Sequence, residues 1–129
     1  MTSYLKIPAA LTTALLASAC GEAPQSPDSV RMNVRDGGVV VTGTYRASGF
    51  DQFQVRQMVS RICTSSGFSG YNQTVNGDTV NFSVSCAAPT RYSAGADALF
   101  ERQDDDTVDY TINYTQNGRP LDTGGNFRI

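Results

Sequence analysis

Three turn dipeptides divide this chain: Asp36-Gly37, Asn76-Gly77 and Asn117-Gly118. Each pairs residues that tolerate positive φ, and each is flanked by a segment in which apolar and polar residues alternate. That combination is the strongest local signal for a β-hairpin. A type I′ turn needs left-handed residues, and its twist matches the strands it joins. A chain punctuated in this way builds antiparallel sheet.

Around the first turn, Val30, Met32 and Val34 alternate with Arg31, Asn33 and Arg35, and the return runs over residues 38–45. A two-residue loop at Asp36-Gly37 sets Val34 opposite Val39 and Met32 opposite Val41, all on one face. Around Asn76-Gly77, the strands 68–75 and 79–86 set Tyr71 opposite Phe82 and leave Val80, Phe82, Val84 and Cys86 inward. In 107–115, Val108, Tyr110, Ile112 and Tyr114 face one way, and Asp109, Thr111 and Asn113 the other. Pro120 has no N–H for a ladder and suits an edge or a loop. Gly124-Gly125 then separates a short last segment, Asn126–Ile129. Residues 87–106 carry a weaker pattern, read either as a helix over Ala94–Arg102 or as a strand over Leu99–Arg102.

One segment keeps a different period. Val55, Met58, Val59, Ile62 and Cys63 fall at i, i+3, i+4, i+7 and i+8, a complete helical stripe. Ser48 stands as its cap, Asp51 as the capping-box acid and Gly67 as its stop. The pattern predicts an α+β fold: an antiparallel sheet of five to seven hairpin strands with one main amphipathic helix packed on one face. No internal repeat interrupts it, and residues 30–129 form a single small domain.

The N-terminus obeys other rules. Lys6 precedes an apolar stretch from Ile7 to Ala17, then come the small residues Ser18 and Ala19 before Cys20. The stretch is too short to cross a bilayer and has the layout of a secretory signal over residues 1–19. Leu15-Leu16-Ala17-Ser18-Ala19-Cys20 resembles the lipobox of bacterial lipoproteins, with Ala17 where that family usually has leucine. The resemblance implies cleavage before Cys20 and lipid attachment to its sulfur and new amino terminus. Ala17-Ser18-Ala19 also fits simple secretory cleavage, and the cysteine count bears on the choice. Of three cysteines, lipidation of Cys20 leaves Cys63 and Cys86 to pair, so no thiol is left free in an oxidising compartment. Two or more acyl chains give stable anchoring. Residues 20–29 then read as a lipidated cysteine and a flexible tether, reaching roughly 25–30 Å at about 3 Å per residue.

Composition removes most chemistry. The chain has no histidine, and Lys6, its one lysine, leaves with the signal. Imidazole-based nucleophile pairs and zinc sites are therefore excluded, as are Schiff bases. Nine arginines remain against twelve acidic residues, a net charge of −3, which gives no basic footprint for nucleic acid. Only carboxylates are left for acid–base work. Asp104, Asp105 and Asp106, with Asp109 nearby, form one dense acidic run. It reads as a solvated turn, an acidic patch for a basic partner, or a calcium loop without the glycine and glutamate of an EF-hand. Phe50 and Phe53 project away from the helical stripe. They read as an exposed docking pair, or as a helix start that lies later or is covered by the segment after Cys86.

The sequence thus points to a small envelope lipoprotein that works by binding, not as an enzyme, with no cofactor and no metal. Gly21 in place of aspartate implies the outer membrane, facing the periplasm, if the sorting rule of enteric bacteria applies. The partners expected are the membrane itself, through the lipid, and another envelope protein. An inhibitor of a basic partner is the second reading, and a carboxylate-based enzyme the third.

Overall fold

The computed structural model describes residues 26–64 and 67–129. The elements in chain order are β1 (Ser29–Arg35), β2 (Val40–Arg46), α1 (Gln52–Cys63), β3 (Phe68–Asn76), β4 (Thr79–Cys86), β5 (Ala96–Arg102), β6 (Thr107–Gln116) and β7 (Arg119–Arg128). The strands form one open sheet ordered β3-β4-β2-β1-β5-β6-β7, antiparallel throughout. The β1–β2 hairpin is its centre. The β3–β4 hairpin adds beside β2, and the β5-β6-β7 meander adds beside β1.

This corrects the α+β expectation. Strand accounts for 57% of the structure and helix for 13%, so the fold is mostly antiparallel β. At 12 residues α1 is about 18 Å long. Seven strands spaced about 4.8 Å apart span roughly 29 Å. One short helix cannot make a second layer over such a sheet. Much of the added strand comes from segments whose pattern was weak. Residues 96–102 are strand along their whole length, not helix, and β7 runs unbroken through Gly124-Gly125.

Two registers differ from those expected, each by two residues. Val34 pairs with Val41 and Arg35 with Val40, so the first loop is Asp36–Val39. Asp36, Gly37 and Gly38 all have positive φ (54°, 70° and 87°), and this third left-handed residue lengthens the turn. The N–H groups of Gly38 and Val39 both donate to the Arg35 carbonyl at 3.2 Å. In the second hairpin Asn76 pairs with Thr79, and Gln73, not Tyr71, lies opposite Phe82. A bulge between Ser69 and Asn72 displaces Tyr71, yet its ring still stacks on Phe82 with centroids 5.7 Å apart. A two-residue slip preserves parity, so the strand residues keep their faces, and only Val39 leaves the inward set for the first loop. At the third turn Gln116 pairs with Arg119 around Asn117-Gly118, and Pro120 lies on the edge strand β7.

The N-cap of α1 is Asp51, not Ser48. Asp51 accepts from the Gln54 N–H at 2.8 Å, and the Gln54 side chain accepts from the Asp51 N–H at 3.0 Å. Phe50 and Val55, just before the cap and at the fourth helical position, are both buried, which is a hydrophobic staple. Ser48 serves Asp78 instead, donating its hydroxyl at 2.6 Å and its N–H at 2.8 Å. Arg46 Nε adds a third bond at 2.8 Å. These contacts, the Ser48 hydroxyl first and Arg46 next, hold the Asp78 carboxyl below the usual carboxylate range. They tie the β3–β4 turn to the link between β2 and α1.

The helical stripe buries Val55, Met58, Val59, Ile62 and Cys63 against one face of the sheet. That face supplies Val30, Met32, Val41, Phe82, Phe100 and Ile112, among others. Gly43 is what admits the Phe82 ring, since a Cβ there would lie 2.5 Å from Phe82 Cζ. Cys63 and Cys86 are disulfide-bonded with Cα atoms 5.2 Å apart, joining the end of α1 to the end of β4. The opposite face of the sheet has no covering element among the described residues.

Candidate functional site

The sequence candidates scatter. Cys20, the signal and residues 21–25 of the tether lie outside the described residues. Phe50 and Phe53 do not act as a pair: Phe50 is 2% exposed beneath the helix start, and Phe53 is 68% exposed on the far side of α1. The Arg102 guanidinium lies 4.4 Å above the Phe50 ring.

The acidic turn is built from its own hydrogen bonds. Asp104 accepts from the Asp106 N–H at 3.2 Å, and that backbone bond is the first cause of its lowered pKa. Asp106 pairs with Arg128 at 3.3 Å and accepts from the Thr107 hydroxyl. The Asp105 carbonyl accepts from Arg102 Nη1 at 2.9 Å. Arg102 also donates through Nη2 to the Gly49 carbonyl at 2.6 Å, and its N–H reaches the Asp28 carbonyl at 2.8 Å. The turn, the helix start and the incoming residues 26–28 are thus gathered at one end of the sheet. Asp109 stands apart on β6, bonded to Gln103. Among the described residues no group of acids and cysteines is placed to hold a metal ion.

A different set converges at the other end. A shallow concavity of about 1080 Å³ opens where β1 finishes, β5 begins and the β6–β7 hairpin turns. Asn33, Asp97, Asn113 and Asp122 line it, with Arg35 and Thr115 further along. The register explains how residues distant in sequence meet. Asn33 pairs with Asp97, Asp97 with Asn113, and Asn113 with Asp122, so their side chains stand in one row across four strands. All four are exposed, because their neighbours Val34, Ala98 and Ile112 take the alternate, inward positions. Among the described residues none of the four side chains has a hydrogen-bond or ion-pair partner. Arg35 reaches the Thr42 hydroxyl at 3.4 Å. On the inward side of the rim, Leu121 is 39% exposed.

Sequence reasoning missed this row. Asn113 was legible as an outward residue of β6, but Asp97 fell in the undecided segment, and no local pattern brings Asn33 beside it. The row becomes visible only with the strand order.

Two smaller hollows, of about 330 and 350 Å³, flank α1 over β6 and β7. Arg61 lines both and lies 4.4 Å from the Phe127 ring. Gln57 lines the first, where its Oε1 is buried and unpartnered among the described residues.

In comparisons with protein-family models, curated proteins and solved structures, none matches this chain.

Proposed function

We propose that this is a small lipid-anchored envelope protein that acts by binding and presents the β1-β5-β6-β7 concavity to its partner. The observation that carries the reading is the row of four exposed polar side chains without a hydrogen-bond or ion-pair partner among the described residues. Strand faces normally satisfy or solvate such groups singly, whereas four in line within a concavity make a ready set of donors and acceptors. Asp97 and Asp122 are both exposed and stand two strands apart, about 10 Å. Acid–base catalysis is served by carboxylates shielded from water, and these two are open to it. The lipobox-like segment ending at Cys20 supplies the anchor in this reading, and Gly21 favours the outer membrane facing the periplasm.

A second reading, inhibition of a basic partner protein, draws on the outer face of β5–β7. Asp97, Glu101, Asp109 and Asp122 lie there on one side of the sheet. That patch suits a cationic surface better than the 104–106 turn, whose carboxylates are partly engaged.

Photocrosslinking in intact cells tests the reading. A photoreactive residue at position 113 should give discrete adducts, and one at position 74, in β3, should not. Equal yields at the two positions, or none at 113, would remove the concavity from the proposal. Mass spectrometry of the native protein should show an acylated N-terminus at Cys20, and an unmodified one would leave plain secretion.

A further inference from the structure

The row at the concavity has an order to it. Across β1, β5, β6 and β7 it alternates amide, carboxylate, amide, carboxylate: Asn33, Asp97, Asn113, Asp122. With strands about 4.8 Å apart it runs roughly 14 Å. The amides bring donors and acceptors, and the carboxylates accept only.

We infer that this row binds a neutral oligosaccharide, reading successive hydroxyl groups along the sheet. The inference rests on the concavity being the binding site and adds the class of ligand. A sugar hydroxyl donates one hydrogen bond and accepts others, so neighbouring hydroxyls can give to a carboxylate and take from an amide N–H. That is the alternation found here. Each competing ligand class leaves part of the site unused or opposed. A cationic peptide uses Asp97 and Asp122 but meets the Arg35 guanidinium, of its own sign, in the same concavity. A phosphate-bearing ligand is repelled by both carboxylates. An apolar ligand strips water from four polar groups and pairs none of them. The exposed Pro120 at the rim, on the same face as the row, gives the C–H edges of a sugar ring an apolar contact. Mixed sites of this kind, with polar groups fixing orientation beside some apolar surface, are how small ligands are held.

The test uses full-length protein in detergent on an array of neutral oligosaccharides, followed by titration of the best-retained one at low and high salt. Retention should be saturable, and the affinity should change by less than about twofold between the two salts, since no net charge is exchanged. Asn113→Ala and Asp97→Asn should each weaken it by about tenfold, the cost of one hydrogen bond to a fixed partner. Their melting temperatures should stay unchanged, which separates lost contacts from lost fold. No oligosaccharide retained above the Asp97→Ala/Asp122→Ala double variant would overturn the inference. Binding of pentalysine alone, weakened steeply by salt, would also overturn it while leaving the concavity as a binding site. Failure of both ligands together with failure of the position-113 crosslink would bring down the site as well.

Discussion

The two sides of the β1–β2 hairpin are held in different ways. The β3–β4 side is fastened at both ends, by the Cys63–Cys86 bond at one and the Asp78 hydrogen bonds at the other. Between them, Tyr71 stacks on Phe82, and the hydroxyls of Tyr45 and Tyr71 both meet Gln73 Oε1, at 3.3 and 3.0 Å. Burial first, then the Tyr45 hydroxyl, pushes the Tyr71 phenol up. The β5-β6-β7 side has no covalent tie among the described residues. Phe100, Tyr110 and Phe127 hold it, with ring centroids 5.6 to 6.2 Å apart, and Arg61 rests on Phe127. Packing without a cross-link gives a lower local barrier to opening than packing with one. The concavity sits on the side without the staple.

The largest effect is expected where that packing is densest. Phe100 is fully buried, and Phe100→Ala should cost about 3–5 kcal/mol, a large share of the stability of a small domain. Hydrogen exchange by mass spectrometry should then rise first in β6 and β7 and last in β4. Uniform loss of protection would break the comparison.

Removing the disulfide acts on the other side. Cys63→Ala/Cys86→Ala opens a loop with a sequence separation of 23 and should cost about 3 kcal/mol. Exchange should rise in α1 and β4, while the row at Asn33 to Asp122 keeps its protection. Earlier opening of β5–β7 would mean that the staple supports the whole sheet.

A smaller effect concerns acid. Asp78 and Asp104, one on each side, both have lowered pKa values. A depressed folded pKa contributes stability that is present above the unfolded value and lost as pH falls through the folded one. Melting temperature should therefore be flat above about pH 5 and fall below about pH 4. Asp78→Asn should flatten part of that slope and Asp104→Asn another part. A slope unchanged in both variants would assign acid sensitivity elsewhere.

The smallest effect separates two phenylalanines three positions apart. Phe53→Ala should change stability by under about 0.5 kcal/mol, as exposed sites do. Phe50→Ala removes the buried half of the staple and should behave as a core truncation. Thermal melts of the pair would settle it, and similar losses would show that Phe53 is covered in solution.

What could be read from the sequence follows from what local patterns encode. The stripe from Val55 to Cys63 was legible because four spacings agreed, and Asn117-Gly118 because its turn has the two residues that type I′ demands. The first register was not, since Gly38 could continue the strand or lengthen the turn, and only its φ decides. Residues 96–102 stayed open between helix and strand for a different reason. Leu99 breaks the alternation of Ala98 and Phe100 with Asp97 and Glu101, and two alanines lend the segment helical character. Once those residues and all of 119–128 count as strand, the balance shifts from α+β to a β-sheet with a single helix. The site was the least legible part, because Asn33, Asp97, Asn113 and Asp122 acquire a common purpose only across strands that are not neighbours in sequence.

The meeting of Asp28 with Arg102 at one end of the sheet also sets an orientation. On the anchoring proposed at Cys20, the end holding Asp28, Arg102 and the 104–106 turn would face the bilayer. β1 runs about 20 Å away from that end, so the concavity would lie on the side of the domain turned away from the membrane. In that orientation the concavity would meet material that stands off the membrane, and lipid headgroups would stay out of its reach.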